Sequence, residues 1–447
     1  MSDLEKAFKA LKEKQSRILL RNQYYDGDQP LVYSSERLRD VFGSVFARFN
    51  MNWCSVVVDS TMDRIVLKGF DVVNSNKEVD DELDSIWSKY HLQLDAEEVH
   101  QDALITCESY VIAWKRSDGT LDIYPNKSSM CHIFYDPDYP KQKKFAAKWF
   151  IGSDEKWHIT LYYTDRLEYY VSSGKELPES ASGFKTGKKS AENPFKEIPV
   201  FHFRCPGELE DILTVQDALN KLFADMMVAG EFGSFKQRWA ISNSDTTSLK
   251  NKPGEIWDLP AGDGIGQGTS VGEFEGEDLT KFMNAIDKLA NYVAIKSRTP
   301  KHYLYDVGAG ISGDALIAME APLVKKAEKR IQHFSVTWQE LAAFLMRLGK
   351  REIAESNILP LWGRVKSEQP LAETQAISFG TSSGIPLVTM LRRQGWTKAE
   401  IDQMIKDQKE QKLANTSLAK EMLDKARIDQ DQNNDPGSSA NDGTPNG

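Results

Sequence analysis

The stretch best suited to chemistry is DVGAGISGDAL (306–316), where Gly308, Gly310 and Gly313 fit the pattern G-x-G-x-x-G. In a nucleotide site such glycines let the backbone close on a pyrophosphate at a helix N-terminus. The pattern needs a strand before it and a helix after it. It also needs a carboxylate for the ribose after the next strand, about twenty residues on. A strand-like run, His302–Val307, precedes the glycines, but helical spacing then continues to about residue 349 and no strand pattern returns before 357. The stretch therefore reads better as a loop and helix start, with Ser312 as N-cap and Asp314 favouring the helix dipole.

The other candidate sites are weaker. GDGIGQG (262–268) lacks the Lys-Ser/Thr of a phosphate-binding loop and reads as a turn. The seven histidines (91, 100, 132, 158, 202, 302 and 333) form no H-x-x-x-H, and His132 beside Cys131 lacks further ligands for zinc. Cys54, Cys107, Cys131 and Cys205 form no C-x-x-C pair and read as buried reduced thiols of a cytosolic folding compartment. YDPDYP (135–140) brings Asp136 and Asp138 into one turn, which suits solvent better than a cation. KKAEKR (325–330) spreads Lys325, Lys326, Lys329 and Arg330 over a helix's polar side, as a solvated or intersubunit salt-bridging face. No catalytic set, metal site or cofactor is expected.

The elements that must position these residues follow from patterning. With 447 residues, 40% of them hydrophobic and 27% charged, the chain suits two or three globular domains. A net charge of −10 speaks against a broad nucleic-acid-gripping face. Residues 1–20 are charged throughout, unlike a signal peptide, and no run reaches the ~18 apolar residues of a membrane span. Residues 4–24 predict an amphipathic helix ended by Gly27 and Pro30; further helical spacing covers 36–65 and 83–107. SYVIAWKRSDGTLDIYP (109–125) predicts a hairpin about Asp118-Gly119, with strands continuing to Cys205 and a polar loop at 172–194. Helices are predicted over about 208–235 and 277–298, flanking a short turn-rich β segment at 239–274. A long helix follows over 313–349, its stripe formed by Leu316, Leu323, Ala327, Ile331, Phe334, Trp338, Leu341, Leu345 and Leu348. Pro322 inside it predicts a kink near Ala318. Residues 357–367 suit a strand, shorter helices follow, and 427–447 have almost no apolar residues and suit disorder.

The order of parts resembles the portal proteins of tailed bacteriophages: helix, small β insertion, helix, loop and long kinked helix between an α/β body and a helical C-terminal segment. Local phrases resemble that family over about residues 1–425. FNMNWCSVVVDSTMDRIVLKGF (49–70), EEVHQDALITCESYVIAW (97–114) and LYYTDRLEYY (161–170) are similar to its N-terminal body. ISGDALIAMEAPLVKKAEKR (311–330) resembles the start of its long helix, and SFGTSSGIPLVTMLRRQGWTKAEID (378–402) its C-terminal part.

The resemblance implies an α+β, ring-forming portal-type fold. The wing is 1–207 with 313–361, the stem helices are 208–238 and 275–299, the clip is 239–274, the tunnel loop 300–312 and the crown 362–426, before the tail at 427–447. It implies a homo-oligomeric ring, usually of twelve subunits, at one capsid vertex of the virion, assembled in the bacterial cytoplasm. Double-stranded DNA passes through the ring without sequence preference. The terminase large subunit, the head–tail adaptor, and the major capsid and scaffolding proteins are its partners, and no membrane is involved. The tunnel loop would present Lys301, His302, Tyr303, Leu304, Tyr305, Asp306, Val307, Gly308, Ala309 and Gly310 to DNA. The clip would dock partners through Asn251, Lys252, Glu255, Trp257 and Asp258. Twelve copies at −10 carry about −120, so phosphates are repelled and DNA slides.

Two alternatives stay open at this point: another capsid-associated adaptor or minor head protein, and an enzyme binding nucleotide at Gly308–Gly313. Deleting Tyr303–Gly310 is expected to spare ring assembly and impair packaging or retention of DNA. Removing 427–447 is expected to leave the melting temperature unchanged in a thermal melt, since almost no apolar surface is lost.

Overall fold

The computed structural model describes residues 1–29, 51–73, 77–234, 238–241, 270–274, 278–306, 311–366, 370–394 and 398–433, with Leu249, Trp257, Gly276 and Trp396 standing singly. The chain divides into two units, Met1–Ser367 and Glu368–Gly447.

In the first unit, α1 (Asp3–Asp26) opens on a capping box: the Glu5 amide donates to Ser2 Oγ at 3.2 Å and the Ser2 amide to Glu5 Oε2 at 2.7 Å. It ends where Gly27 takes a φ of 78°, a turn that glycine makes without strain. The apolar patch after residue 52 is itself helical, α2 (Trp53–Met62); most of the stretch predicted before it lies outside the described residues. β1 (Leu67–Val72) follows. The helix predicted over 83–107 is two helices, α3 (Lys77–Lys89) and α4 (Leu92–Thr106). His91 separates them with a φ of 52°, a left-handed setting invisible to hydrophobic spacing.

The hairpin forms as predicted from β2 (Glu108–Lys115) and β3 (Leu121–Asn126). A second antiparallel sheet is built from β4 (Cys131–Tyr135), β5 (Lys143–Ile151), β6 (Trp157–Tyr162), β7 (Arg166–Ser172) and β8 (Phe184–Thr186) in that order, with β9 (Ala191–Glu192) also on β7. The polar stretch 172–194 is thus more than a loop, because its edge strands borrow their ladder from β7. Ala7, Phe8 and Leu11 of α1 pack on this sheet against Phe145, Trp149 and Phe184. β10 (Val200–Arg204) returns to pair with β2.

The chain then runs through α5 (Leu213–Ser234), β11 (Arg238–Ile241), β12 (Ser270–Glu273), α6 (Thr280–Ser297) and α7 (Lys301–Leu304) into α8 (Gly313–Leu348). β13 (Ile358–Trp362) finally pairs antiparallel with β1 and closes the unit. Helix α8 passes through Pro322, whose missing N–H leaves the Ala318 carbonyl without its helical donor. Beyond Pro322 Leu323 is buried, and the rest of the predicted stripe is the spine of the main core, with Ala327, Phe334, Trp338, Leu341, Leu345 and Leu348 all buried in it. Before it, none of residues 313–322 is buried, so Leu316 leaves the predicted stripe only half covered.

Two buried polar groups shape this core. His100 stacks on Phe334 with centroids 4.5 Å apart and accepts the Trp338 indole N–H at 2.9 Å. Burial pushes its pKa from 6.5 down to about 3, so it is folded as the neutral ring. Glu108, between α1 and the sheets, lies 2.9 Å from Lys14 Nζ, accepts the Tyr110 hydroxyl at 2.7 Å and approaches His202 to 3.5 Å. Burial opposes its ionisation, but His202, Lys14 and Tyr110 outweigh that and hold it well below the usual glutamate range.

The second unit is helical: α9 (Pro370–Ser382), α10 (Leu387–Arg393) and α11 (Lys398–Asn433). Met390, Leu391 and Ile401 form its buried contacts. Residues 427–433, expected to be disordered, are helical. Their composition denies them a core, but Arg and Gln there are adequate helix formers; residues 434–447 lie outside the described residues.

An acid-limb prediction follows from His100. Unfolded, it binds a proton below 6.5; folded, only below about 3, so its share of stability is present above 6.5 and lost as pH falls between these values. Urea titrations between about pH 4 and 6 should show His100→Gln with a stability slope shallower than the parent's by about 1.4 kcal/mol per pH unit. Equal slopes would contradict the buried neutral ring.

Candidate functional site

The segment from 208 to 330 departs most from a self-contained fold. A methyl placed on Gly230, late in α5, would lie 3.8 Å from Leu279 Cδ1 at the start of α6, so the two helices form an antiparallel hairpin. With 22 residues, α5 is about 33 Å long at ~1.5 Å per residue. It is shorter than the predicted 208–235, because residues 208–212 form turns before it; α6 likewise starts later than expected. The β11–β12 ribbon joins their far ends. There Trp239 faces Gly272 across the pair, and a side chain on Gly272 would come within 2.5 Å of the indole. Glycine makes room for that ring.

The hairpin leaves several large apolar side chains uncovered. Ile286, Ala290 and Val293 of α6 are buried, whereas Met283, Tyr292 and Ile295 stand in solvent, Ile295 at 79% exposure. Met227 of α5 and Val271 and Phe274 of the ribbon are exposed as well. Monomers seldom leave so much large apolar surface uncovered on one projecting element.

The hairpin is fixed at its base by one carboxylate. Glu208 is buried; its Oε2 lies 2.9 Å from Lys326 Nζ, and its Oε1 accepts Arg330 Nε at 2.9 Å. Lys326 also donates to the Ser297 carbonyl at 2.7 Å. The entry to α5, the last turn of α6 and the middle of α8 therefore meet at one point. Two of the four cations expected on a polar helix face are instead turned inward here, because Glu208 offers them a buried counter-charge. Burial pushes the Lys326 pKa down, and Glu208 works against that shift.

The turn after α6 is tied down too. Lys301 pairs with Asp287 at 2.6 Å. Tyr303 donates to Glu320 Oε1 at 2.9 Å and accepts from Arg64 Nη2 at 3.1 Å. Arg64 also pairs with Glu320 Oε2 at 3.0 Å and donates to the Val365 carbonyl at 2.7 Å. Leu304 is buried, His302 sits edge-on to Tyr303 at 4.7 Å, and Tyr305 packs against the main core. Residues 301–304 are thus a docked helical turn, not free loop, because Pro300 sets a helix start and Arg64 captures the tyrosine. Tyr305 and Asp306 follow this turn outside any helix, and Val307, Gly308, Ala309 and Gly310 lie outside the described residues. The strand that the glycine pattern requires is this same helical turn. Ser312 caps α8, accepting the Ala315 amide at 3.2 Å, with Asp314 in the first turn.

Of the expected docking residues, Trp257 lies with its ring 6.0 Å from the Arg238 guanidinium. Asn251, Lys252, Glu255 and Asp258 lie outside the described residues. Among the described residues no three His, Cys, Asp or Glu gather as a metal site, and no helix is long and apolar enough to cross a membrane. Burial pushes the thiols of Cys54, Cys131 and Cys205 up to about 12. Sequence reading missed Arg64 and Glu320 and the partners of Glu208, since an ion pair across more than a hundred residues leaves no local pattern.

Comparison with known proteins gives the family. The model of the phage portal proteins, SPP1 Gp6-like, matches residues 4–412. The portal protein of Mycobacterium phage L5 is 21% identical over 350 residues, covering 71% of this chain and 70% of that one. The portal protein of Mycobacterium phage D29 is 26% identical over 161 residues, 34% of this chain and only 33% of its own length. A chain of the neck of an empty GTA particle, computed with C6 symmetry, aligns at a TM-score of 0.42 and 12% identity, over 79% of this chain and 92% of that one. With the family match running over nearly its whole length, this α+β chain belongs to the phage portal proteins of the SPP1 Gp6-like family.

Proposed function

We propose that twelve copies of the chain close into a ring at one capsid vertex, enclosing a channel through which double-stranded DNA enters and later leaves. The observation that carries this reading is the apolar surface left open on the hairpin of α5 and α6, whose exposed Met283, Tyr292 and Ile295 need a neighbour. Head-to-tail contacts that close on themselves supply one at every position. Residues 208–238 and 275–299 act as stem, 239–274 as the clip that docks the terminase and then the head–tail adaptor, and 362–426 as crown. The body, 1–207 with 313–361, is the wing. The role is structural rather than catalytic: the terminase supplies the energy, and the net charge of −10 per copy keeps phosphates from sticking.

Replacing Met283 and Ile295 together by Asp should convert rings into folded monomers in mass photometry, because two charges would be buried unpaired at each interface. Rings of unchanged abundance would count against the stem as interface. Deleting residues 307–310 should leave rings intact and lower the DNA packaged per capsid. The wider deletion of Tyr303–Gly310 should instead lower the melting temperature, since it removes Tyr303 and the buried Leu304. Loss of rings on the short deletion would make the loop an assembly element.

A further inference from the structure

Beside the Glu208 tie lies a cleft of about 430 Å³ between the entry to α5, the end of α6 and the middle of α8. Its charge runs against that of the chain. Glu208 has a single negative charge and two cations on it, the buried Lys326 and the half-buried Arg330. Arg330 spends only its Nε on that contact; its two terminal nitrogens have no hydrogen-bond partner among the described residues. Three more cations line the cleft, Lys296, Arg298 and Lys329, all exposed and none in an ion pair among the described residues. Of the other acids in the wall, Glu210 is taken by Arg21, leaving Asp211. Arg298 holds a φ of 57°, a costly backbone setting for a residue other than glycine. In a chain of net charge −10 this is a local positive excess with a fork left open.

The chemistry that fits is an oxyanion, taken by the free guanidinium nitrogens and the ammonium groups around them. The neighbouring surface decides which source. Ile295, 79% exposed, directly precedes Lys296, and Tyr292 stands one turn before. A phosphodiester backbone gains nothing from a bare isoleucine, whereas a protein interface combines such an apolar contact with a rim of charge. The abundant acidic surface of an anionic chain supplies the complement. We infer that this cleft is an intersubunit socket, in which Arg298, Lys329, Lys296 and the Arg330 fork receive a carboxylate side chain from a second copy of the chain. This rests on the ring reading above.

The test is charge reversal at the three cations that make no internal pair, K296E/R298E/K329E, with the full chain. Mass photometry at low and high salt follows rings, and circular dichroism follows folding. The socket predicts a folded variant whose association is weakened about a hundredfold. It also predicts parent rings that loosen as salt rises. If the reversal variant fails to fold, the neutral K296Q/R298Q/K329Q variant takes its place, with weakened, salt-insensitive association expected. Either variant forming rings like the parent overturns the socket. If it does so while losing affinity for a fluorescent DNA duplex, the anion is phosphate. Absence of rings from the parent itself removes the ring reading and the socket together, whereas parental rings with unaffected variants remove the socket alone.

Discussion

One buried carboxylate decides where the projecting part of this molecule leaves its body. Glu208 holds Lys326 and Arg330, and through Lys326 the Ser297 carbonyl, so three helices separated by about 120 residues of sequence converge on it. An ion left alone at such a depth costs several kcal/mol, so the cluster forms complete or the junction loosens. The base of the α5–α6 hairpin is thereby set against α8, whose far half is the spine of the main core.

From that junction two consequences run outward. The hairpin leaves Met283, Tyr292 and Ile295 exposed, apolar surface whose removal from water would favour association. On the other side, the Arg64, Glu320 and Tyr303 contacts secure the turn after α6 and the part of α8 before Pro322. That part has no buried residue of its own, so its position depends on those contacts.

Much of the fold was legible because it is periodic. The α8 stripe beyond Pro322, the hairpin at Asp118-Gly119 and the helix ended by Gly27 were all readable from residue spacing and turn chemistry. What escaped was set by distant partners or by single residues. His91 broke a helix through a left-handed φ, and 302–304 turned helical although their composition resembles a strand. The cluster 325–330 looked like a solvated face, yet Lys326 and Arg330 are drawn inside by an acid 118 residues away from the lysine. Of the candidate site, the cap at Ser312 was legible in the sequence, whereas the Glu208 and Arg64 ion pairs were not, because their partners lie more than a hundred residues away.

The most direct measurement is electron microscopy of the purified full-length chain at low ionic strength. The account predicts closed rings with an open central channel wide enough for duplex DNA, and with the α5–α6 hairpins side by side. A compact monomer or dimer with the hairpin exposed, at any concentration tried, would contradict it.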